Sequence, residues 1–191
     1  MKRIVLASAS LRRKQLLEQI GLQFEVTPNN STEVNDSSSD PKKLAKSISL
    51  KKALSVAPKY RNAVIIAADT FGILEGKMLG KPKNADEARE MLTTMSGKSH
   101  AVVTGFTILD ADSGRTVSKA VETKVWFREL TVGEIDTYVS CGEPMGKAGA
   151  YAIQGLGAVL IEQIEGDYFN VMGLPLSALV ESLREFDIRV L

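Results

Sequence analysis

One cysteine, Cys141, and one histidine, His100, stand in a chain of 191 residues. A single thiol excludes an intrachain disulfide and suits a reducing compartment, so a cytoplasmic location is expected. The same two counts exclude Cys/His zinc sites and leave few routes to a histidine-based triad. Proton transfer then falls to carboxylates and any metal to oxygen ligands, which favours hard cations such as magnesium or manganese. No apolar run approaches the roughly 18 residues of a membrane span. The opening Met1–Ala7 run is too short for a signal peptide, and Arg12, Arg13 and Lys14 follow it at once. The chain also lacks a Gly-x-x-x-x-Gly-Lys-Ser/Thr loop and a Gly-x-Gly-x-x-Gly turn after a strand, so P-loop and dinucleotide-binding readings have no support.

What is present is the composition of a globular domain, 44% hydrophobic and 25% charged. The net charge of +1 is unevenly spread. Residues 1–61 carry 12 Lys and Arg against 5 Asp and Glu, or +7, and the remainder carries 12 against 18, or −6. A basic first third serves an anionic ligand or is a set of solvated helix faces. Nucleic-acid binding is disfavoured, because only Phe24 and Tyr60 interleave with these cations.

The hydrophobic pattern predicts a buried strand over 3–7, then a helix over 11–20 with Ser10 as N-cap and Gly21 as stop. A second strand follows at 24–26, an Asn/Ser/Asp-rich loop at 29–40 and a helix opened by Asp40-Pro41 that runs to about Ala57. Residues 63–68 read as a strand buried on both faces and ended by Asp69-Thr70. A hairpin turning at Glu75-Gly76-Lys77 delivers Gly80-Lys81-Pro82. Asn84 and Glu87 predict a capping box and a third helix that stops at Gly97. Two long strands, 100–109 and 116–127, join across Asp112-Ser113-Gly114. Thr131 and Glu134 predict a second capping box, for a helix to about Ser140. A Gly-rich stretch over 142–157 leads to a strand, a turn at Glu165-Gly166 and a helix from Pro175 to about Phe186. The order of strands and helices gives an α/β fold, one domain over 1–191 with two lobes.

Several residues stand out as carriers of chemistry. A helix opening after Ser8-Ala9-Ser10 exposes backbone N–H groups and a positive dipole end, which favour an anion. Arg12 and Arg13 in its first turn oppose that dipole by about 0.3–1 kcal/mol each, a conflict an anionic ligand removes. Two readings stand side by side: a phosphate-binding turn, or a plain Ser10 cap with two solvent-facing arginines. Asp69, after a buried strand, is either a ligand-facing carboxylate or a turn cap. Lys81 is a phosphate ligand or a surface lysine, and Gln154 a base-reading or half-buried amide. Glu33 in its polar loop is uninformative alone. His100 reads as a core or strand-end residue.

In order, Leu6-Ala7-Ser8-Ala9-Ser10-Leu11-Arg12-Arg13, Glu33, Lys52-Ala53, Ala67-Ala68-Asp69-Thr70, Gly80-Lys81-Pro82, Ser96-Gly97 with His100, Thr104-Gly105, the 147–155 segment Lys-Ala-Gly-Ala-Tyr-Ala-Ile-Gln-Gly and Gly173-Leu174-Pro175-Leu176 span nearly the whole chain. Each piece is weak alone, but the ordered set resembles the Maf family of septum-formation-inhibitor-like nucleoside triphosphate pyrophosphatases. Leu11 departs from the proline usual there, which would pre-set the first helical position. The resemblance implies a mixed twisted central sheet with flanking helices, in two lobes around a substrate cleft, like inosine triphosphate pyrophosphatase. It implies hydrolysis between the α- and β-phosphates with a divalent cation (Mg2+, Mn2+ or Co2+), and Asp69 as proton acceptor. It associates Arg13, Thr70 and Gln154 with substrate choice, and the Gly-Ala-Tyr-Ala-Ile-Gln-Gly form at 149–155 with the dTTP- and UTP-hydrolysing branch. A homodimer is a family-level expectation.

On that basis Glu33 and Asp69 are expected to hold the cation. Ser8, Ser10, Arg12, Arg13, Lys52 and Lys81 are expected to bind and neutralise the phosphates, with Lys81 counted beside Asp69 and Glu33 in catalysis. Gln154 both donates and accepts, as the imide edge of uracil or thymine requires. The rival readings are a house-cleaning pyrophosphatase for other modified nucleotides, and a non-catalytic nucleotide- or nucleic-acid-binding regulator of cell division.

Overall fold

A computed structural model of the chain describes residues 2–29 and 40–191. These fall into two compact units, one of Met1–Thr70, Thr104–Val121 and Gly173–Leu191, the other of Phe71–Val103 and Glu122–Met172. No helix among the described residues is long and apolar enough to cross a membrane.

The first unit opens with β1 (Arg3–Leu6), α1 (Leu11–Gln19) and β2 (Glu25–Val26). β1 pairs in parallel with β2, Val5 facing Glu25, so these three elements form a strand-helix-strand crossover. β1 also pairs in parallel with β3 (Ala63–Leu74), from Arg3 opposite Ala63 to Leu6 opposite Ile66. The strand order there is β2-β1-β3-β5-β6, with β5 at Ser99–Asp110 and β6 at Thr116–Phe127. Ala63 to Ala68 are all buried, so the continuous apolar run is a strand covered on both faces, as expected.

α2 (Pro41–Val56) is capped by the Asp40 carboxylate, which accepts from the N–H groups of Lys42 and Lys43, with Pro41 at the first helical position. Its Ala53 and Val56 share a core cluster with Val5, Ala7, Ala63, Ile65, Ala67 and Leu109. The small side chains in that list let helix and strands approach closely. Gly105 takes this to its limit, since a Cβ built there would lie 2.2 Å from the Ala45 carbonyl carbon. One helical turn on, Ser49 Oγ meets Thr107 Oγ1 at 2.8 Å in the interior, and Thr107 meets Ser118 at 2.8 Å. α2 is therefore keyed to β5 at two points one turn apart.

One boundary differs from expectation. β3 does not end at Asp69-Thr70; it runs through them to Leu74 and turns at Glu75-Gly76 into β4 (Lys77–Leu79). A polar pair interrupts an apolar pattern without interrupting backbone pairing, provided its side chains find partners, and these do.

In the second unit β4 pairs antiparallel with the end of β3, and β6 antiparallel with β7 (Ile161–Glu165). α3 (Ala85–Met95) is capped by Asn84, whose side chain accepts from Glu87 N at 2.9 Å. The expected box does not close on Asn84: Glu87 reaches one residue further back and accepts from Lys83 N at 2.8 Å. The box of Thr131 and Glu134 at the start of α4 (Val132–Ser140) is complete. A short α5 (Tyr168–Met172) was not anticipated; it begins where Asp167 accepts from Phe169 N and Asn170 N. Buried Asn170 then ties it to Val102 O and Thr123 Oγ1. The C-terminal helix, in the first unit, is α6 (Leu176–Leu183) followed by one tight turn to Phe186.

His100 is buried in the second unit as a core contact. Its Nε2 lies 2.9 Å from Tyr151 Oη, and its ring packs on those of Phe127 and Tyr151. Burial holds its pKa down at about 4.

Gly105→Ala should destabilise the protein by about 1–3 kcal/mol, because the added methyl meets backbone that cannot rotate away; chemical denaturation measures it. For His100, the unfolded chain binds a proton more readily than the folded one. Stability is therefore complete above the unfolded value of 6.5 and lost as pH falls toward 4, by about 3 kcal/mol in all. Denaturation midpoints between pH 7 and 4 should show that loss, and His100→Gln should remove its share of the slope.

Candidate active site

Lys52 lies on α2 two turns beyond Ala45 and so faces the same way as the residues keyed to β5. Its Nζ reaches Asp69 Oδ1 on β3 at 2.5 Å, with both side chains largely shielded from solvent. Burying a carboxylate in an apolar strand is costly unless it is paired, and Lys52 supplies the pair. The ammonium fixes one carboxylate oxygen and with it the direction of the other.

The opening turn converges on the next residue of β3. Ser10 is the N-cap of α1, its side chain accepting from Arg13 N, and Ser10 N donates to Ser8 Oγ at 3.2 Å. Arg13 then spreads its guanidinium over three acceptors: Ser8 Oγ at 3.3 Å, Thr70 Oγ1 at 3.0 Å and Gly173 O at 2.9 Å. Thr70 Oγ1 in turn meets Thr104 Oγ1 at 2.9 Å. Gly173, just before α6, has φ of +112°, a conformation other residues rarely adopt, and its carbonyl accepts from Arg13. Burial pushes the Arg13 guanidinium below its ordinary pKa, and the charge of Asp69 pulls it back up. Arg13 is thus a structural hub as well as a fixed cation beside Asp69.

Arg12 is half-buried in the same first turn, which contains no acidic residue. Two cations, Arg13 and Lys52, beside one carboxylate leave an excess of positive charge next to a helix start, an environment suited to a polyphosphate. Leu11 occupies the first helical position with 66% of its surface exposed, so a leucine there meets no packing constraint.

Seven of the expected site residues, Ser8, Ser10, Arg12, Arg13, Lys52, Asp69 and Thr70, therefore belong to the first unit. Lys81 and Gln154, both exposed, belong to the second. Glu33 lies outside the described residues. The described chain reaches Asn29, whose Nδ2 donates to Ala7 O at 2.7 Å, and resumes at Asp40. Among the described residues no three His, Cys, Asp or Glu side chains form a metal-holding group. The donors present are an anchored carboxylate and hydroxyl groups. They suit a hard cation shared with substrate phosphates, the usual mode for magnesium, rather than a cation caged by protein alone.

Sequence reasoning assigned no role to Asn29, Thr104 or Gly173. Thr104 and Gly173 lie within family-like stretches, but their work is to support Arg13 and Thr70 across long chain separations that no local pattern reports.

The family profile described as Maf-like protein matches residues 3–186. A protein of Thermoanaerobacter sp. (strain X514) named dTTP/UTP pyrophosphatase is 50% identical over 191 residues, covering 99% of this chain and all of that one. Another so named, from Bacillus cereus (strain G9842), is 45% identical over 190 residues, covering 100% of this chain and 98% of that one. Among solved structures, a HAM1 protein from Coxiella burnetii matches with a TM-score of 0.50 over 84% of this chain and 81% of that one, at 13% identity. That likeness bears on the fold alone, and it agrees with a mixed sheet flanked by helices.

Arg13→Lys should separate the fork from the charge. An ammonium cannot serve Ser8, Thr70 and Gly173 together, so stability should fall by roughly 1.5–3 kcal/mol in urea denaturation although the formal charge is kept.

Proposed function

Because the chain belongs to the Maf family, we propose that it is a nucleoside triphosphate pyrophosphatase, a hydrolase of phosphoric anhydrides that converts dTTP and UTP to the nucleoside monophosphate and pyrophosphate. The observation that carries this reading is identity of 45–50% over essentially the full length of relatives named dTTP/UTP pyrophosphatase. The geometry supports the chemistry. Asp69 presents a carboxylate held by Lys52, so its second oxygen is aimed without cost at the moment of reaction.

In this mechanism Asp69 takes a proton from water as the water oxygen attacks phosphorus at the α,β-anhydride. The bond to the bridging oxygen breaks and pyrophosphate leaves. Arg13 and Lys52 hold positive charge beside the developing negative charge, and Arg12, Ser8, Ser10 and the N-terminus of α1 complete the phosphate end. Glu33 and Asp69, together with substrate phosphate oxygens, would hold a divalent cation (Mg2+, Mn2+ or Co2+), whose part when bound is to polarise the phosphoryl group. Lys81 contributes charge to the phosphates. Gln154 reads the imide edge of the base, donating to a carbonyl and accepting from the ring N–H. Thr70, bonded to Arg13, supports substrate choice by fixing where that cation sits.

A panel of canonical and modified triphosphates, assayed for pyrophosphate release with Mg2+ and with excess chelator, tests the assignment. UTP and dTTP should lead the panel, and chelator should stop release. Asp69→Asn should cut turnover about 100- to 1,000-fold while the melting transition persists. Near-normal turnover in that variant would remove Asp69 from its role.

A further inference from the structure

The Gln154 segment is Gly-rich, yet the structure grips it on both sides of Gln154. On one side, Ala152 N donates to Tyr138 Oη at 3.2 Å. On the other, Leu156 N and Gly157 N donate to the two oxygens of Glu143, at 3.0 and 2.8 Å. The two grips are joined, because Tyr138 Oη donates to Glu143 Oε1 at 2.8 Å. Tyr138 is fully buried on α4, and burial, reinforced by Glu143, pushes its phenol pKa up, so it stays a hydrogen-bond donor. Further upstream, Gly149 N donates to Gly80 O at 2.9 Å, tying the segment to the residue before Lys81.

The glycines are what let the carboxylate and the phenol in. A Cβ on Gly155, which has φ of +75°, would lie 2.4 Å from Glu143 Oε2. One on Gly157 would lie 2.3 Å from Ala152 O and 2.6 Å from Tyr138 Oη. Gln154 occupies the cap position of the tight turn Gly155–Leu160, where a side chain ordinarily satisfies the first N–H groups, yet it makes no such bond. Glu143 does that work from outside. The amide of Gln154 is thereby released from capping while its backbone is fixed at both neighbours.

We propose that Tyr138 and Glu143 are positioning residues that set base selectivity, by clamping residues 152–157 so that the Gln154 amide is held for the pyrimidine edge. The proposal rests on the reading of Gln154 as the base-recognising residue. A side chain on a loosely held loop discriminates poorly, because the ordering entropy charged against each correct hydrogen bond erodes the difference between bases.

The test compares kcat/KM for UTP with that for CTP and ATP in Tyr138→Phe, Glu143→Gln, Gln154→Ala and the double variant Tyr138→Phe/Gln154→Ala. Melting temperatures are read alongside. Glu143→Gln keeps the shape of the side chain, so it decides the matter if Tyr138→Phe fails to fold. Gln154→Ala should lower the UTP preference, and each clamp variant should lower it about three- to tenfold, chiefly through KM for UTP. Tyr138→Phe should add nothing to the loss of preference once Gln154 is alanine. If Gln154→Ala lowers the preference but neither clamp variant does, or if the clamp variants reduce all nucleotides equally, the clamp has no part in selectivity. If Gln154→Ala itself leaves the preference intact, the base-reading role of Gln154 fails and the clamp's role falls with it.

Discussion

The ion pair between Lys52 and Asp69 is the contact on which the rest of the first unit turns. A carboxylate set into a strand that is mostly alanine and isoleucine is tolerable only with a charge partner at hydrogen-bond distance. That partner sits two helical turns from the point where α2 touches Gly105. A helix held further off, by any residue with a side chain at position 105, would carry Lys52 away from Asp69. The glycine in β5, the serine–threonine contact one turn later and the small residues of the core together hold α2 at the distance that brings Lys52 to Asp69.

Arg13 shows how stability and the proposed chemistry share a side chain. A cation in the first turn of a helix is unfavourable in isolation. Here it joins the turn after β1, the middle of β3 and the carbonyl before α6, the last of these 160 residues away from it. The dipole penalty is offset by those bonds and by the neighbouring Asp69 charge, so a ligand is not needed to make the turn stable. In the proposed mechanism the turn attracts the phosphates through its fixed excess of positive charge, which does not have to be gathered when substrate arrives.

How much of this was legible in the sequence follows from how local each signal is. Caps and strands with strong apolar runs were readable: Ser10, Asp40-Pro41, the Thr131–Glu134 box and the doubly covered strand at 63–68 all stand where pattern put them. The end of β3 is not legible, because polarity at Asp69-Thr70 reads locally as a break, whereas pairing continues where α1, α2 and β5 supply partners to those side chains. Glu87 misled in a smaller way, bonding Lys83 instead of Asn84, since a flexible carboxylate chooses among neighbouring N–H groups. For Arg13 the local pattern leaves a phosphate fork and a solvent-facing arginine side by side. Its hold on Thr70 and Gly173 depends on chain crossings that no window of sequence contains. Asn29, Tyr138 and Glu143 were invisible for the same reason.

The Gly-rich segment over 142–157 carries the more general lesson about composition. Glycine in sequence is ordinarily read as freedom, and in an unfolded chain it is. Gly155 and Gly157 work in the opposite sense, because their missing side chains admit the Glu143 carboxylate and the Tyr138 hydroxyl to the backbone. The bonds that follow hold the segment more firmly than bulkier residues would allow. They also explain why a tight turn can present a glutamine at its cap position with the amide unspent: the capping oxygen arrives from a residue 11 positions earlier. A recognition group is most selective when its backbone is fixed by partners other than its own side chain, and the fold supplies those partners through backbone N–H groups that any side chain at position 154 would leave unchanged. On the proposed reading of Gln154 as the base-recognising residue, selectivity there varies by substitution of one residue without rebuilding the loop that presents it.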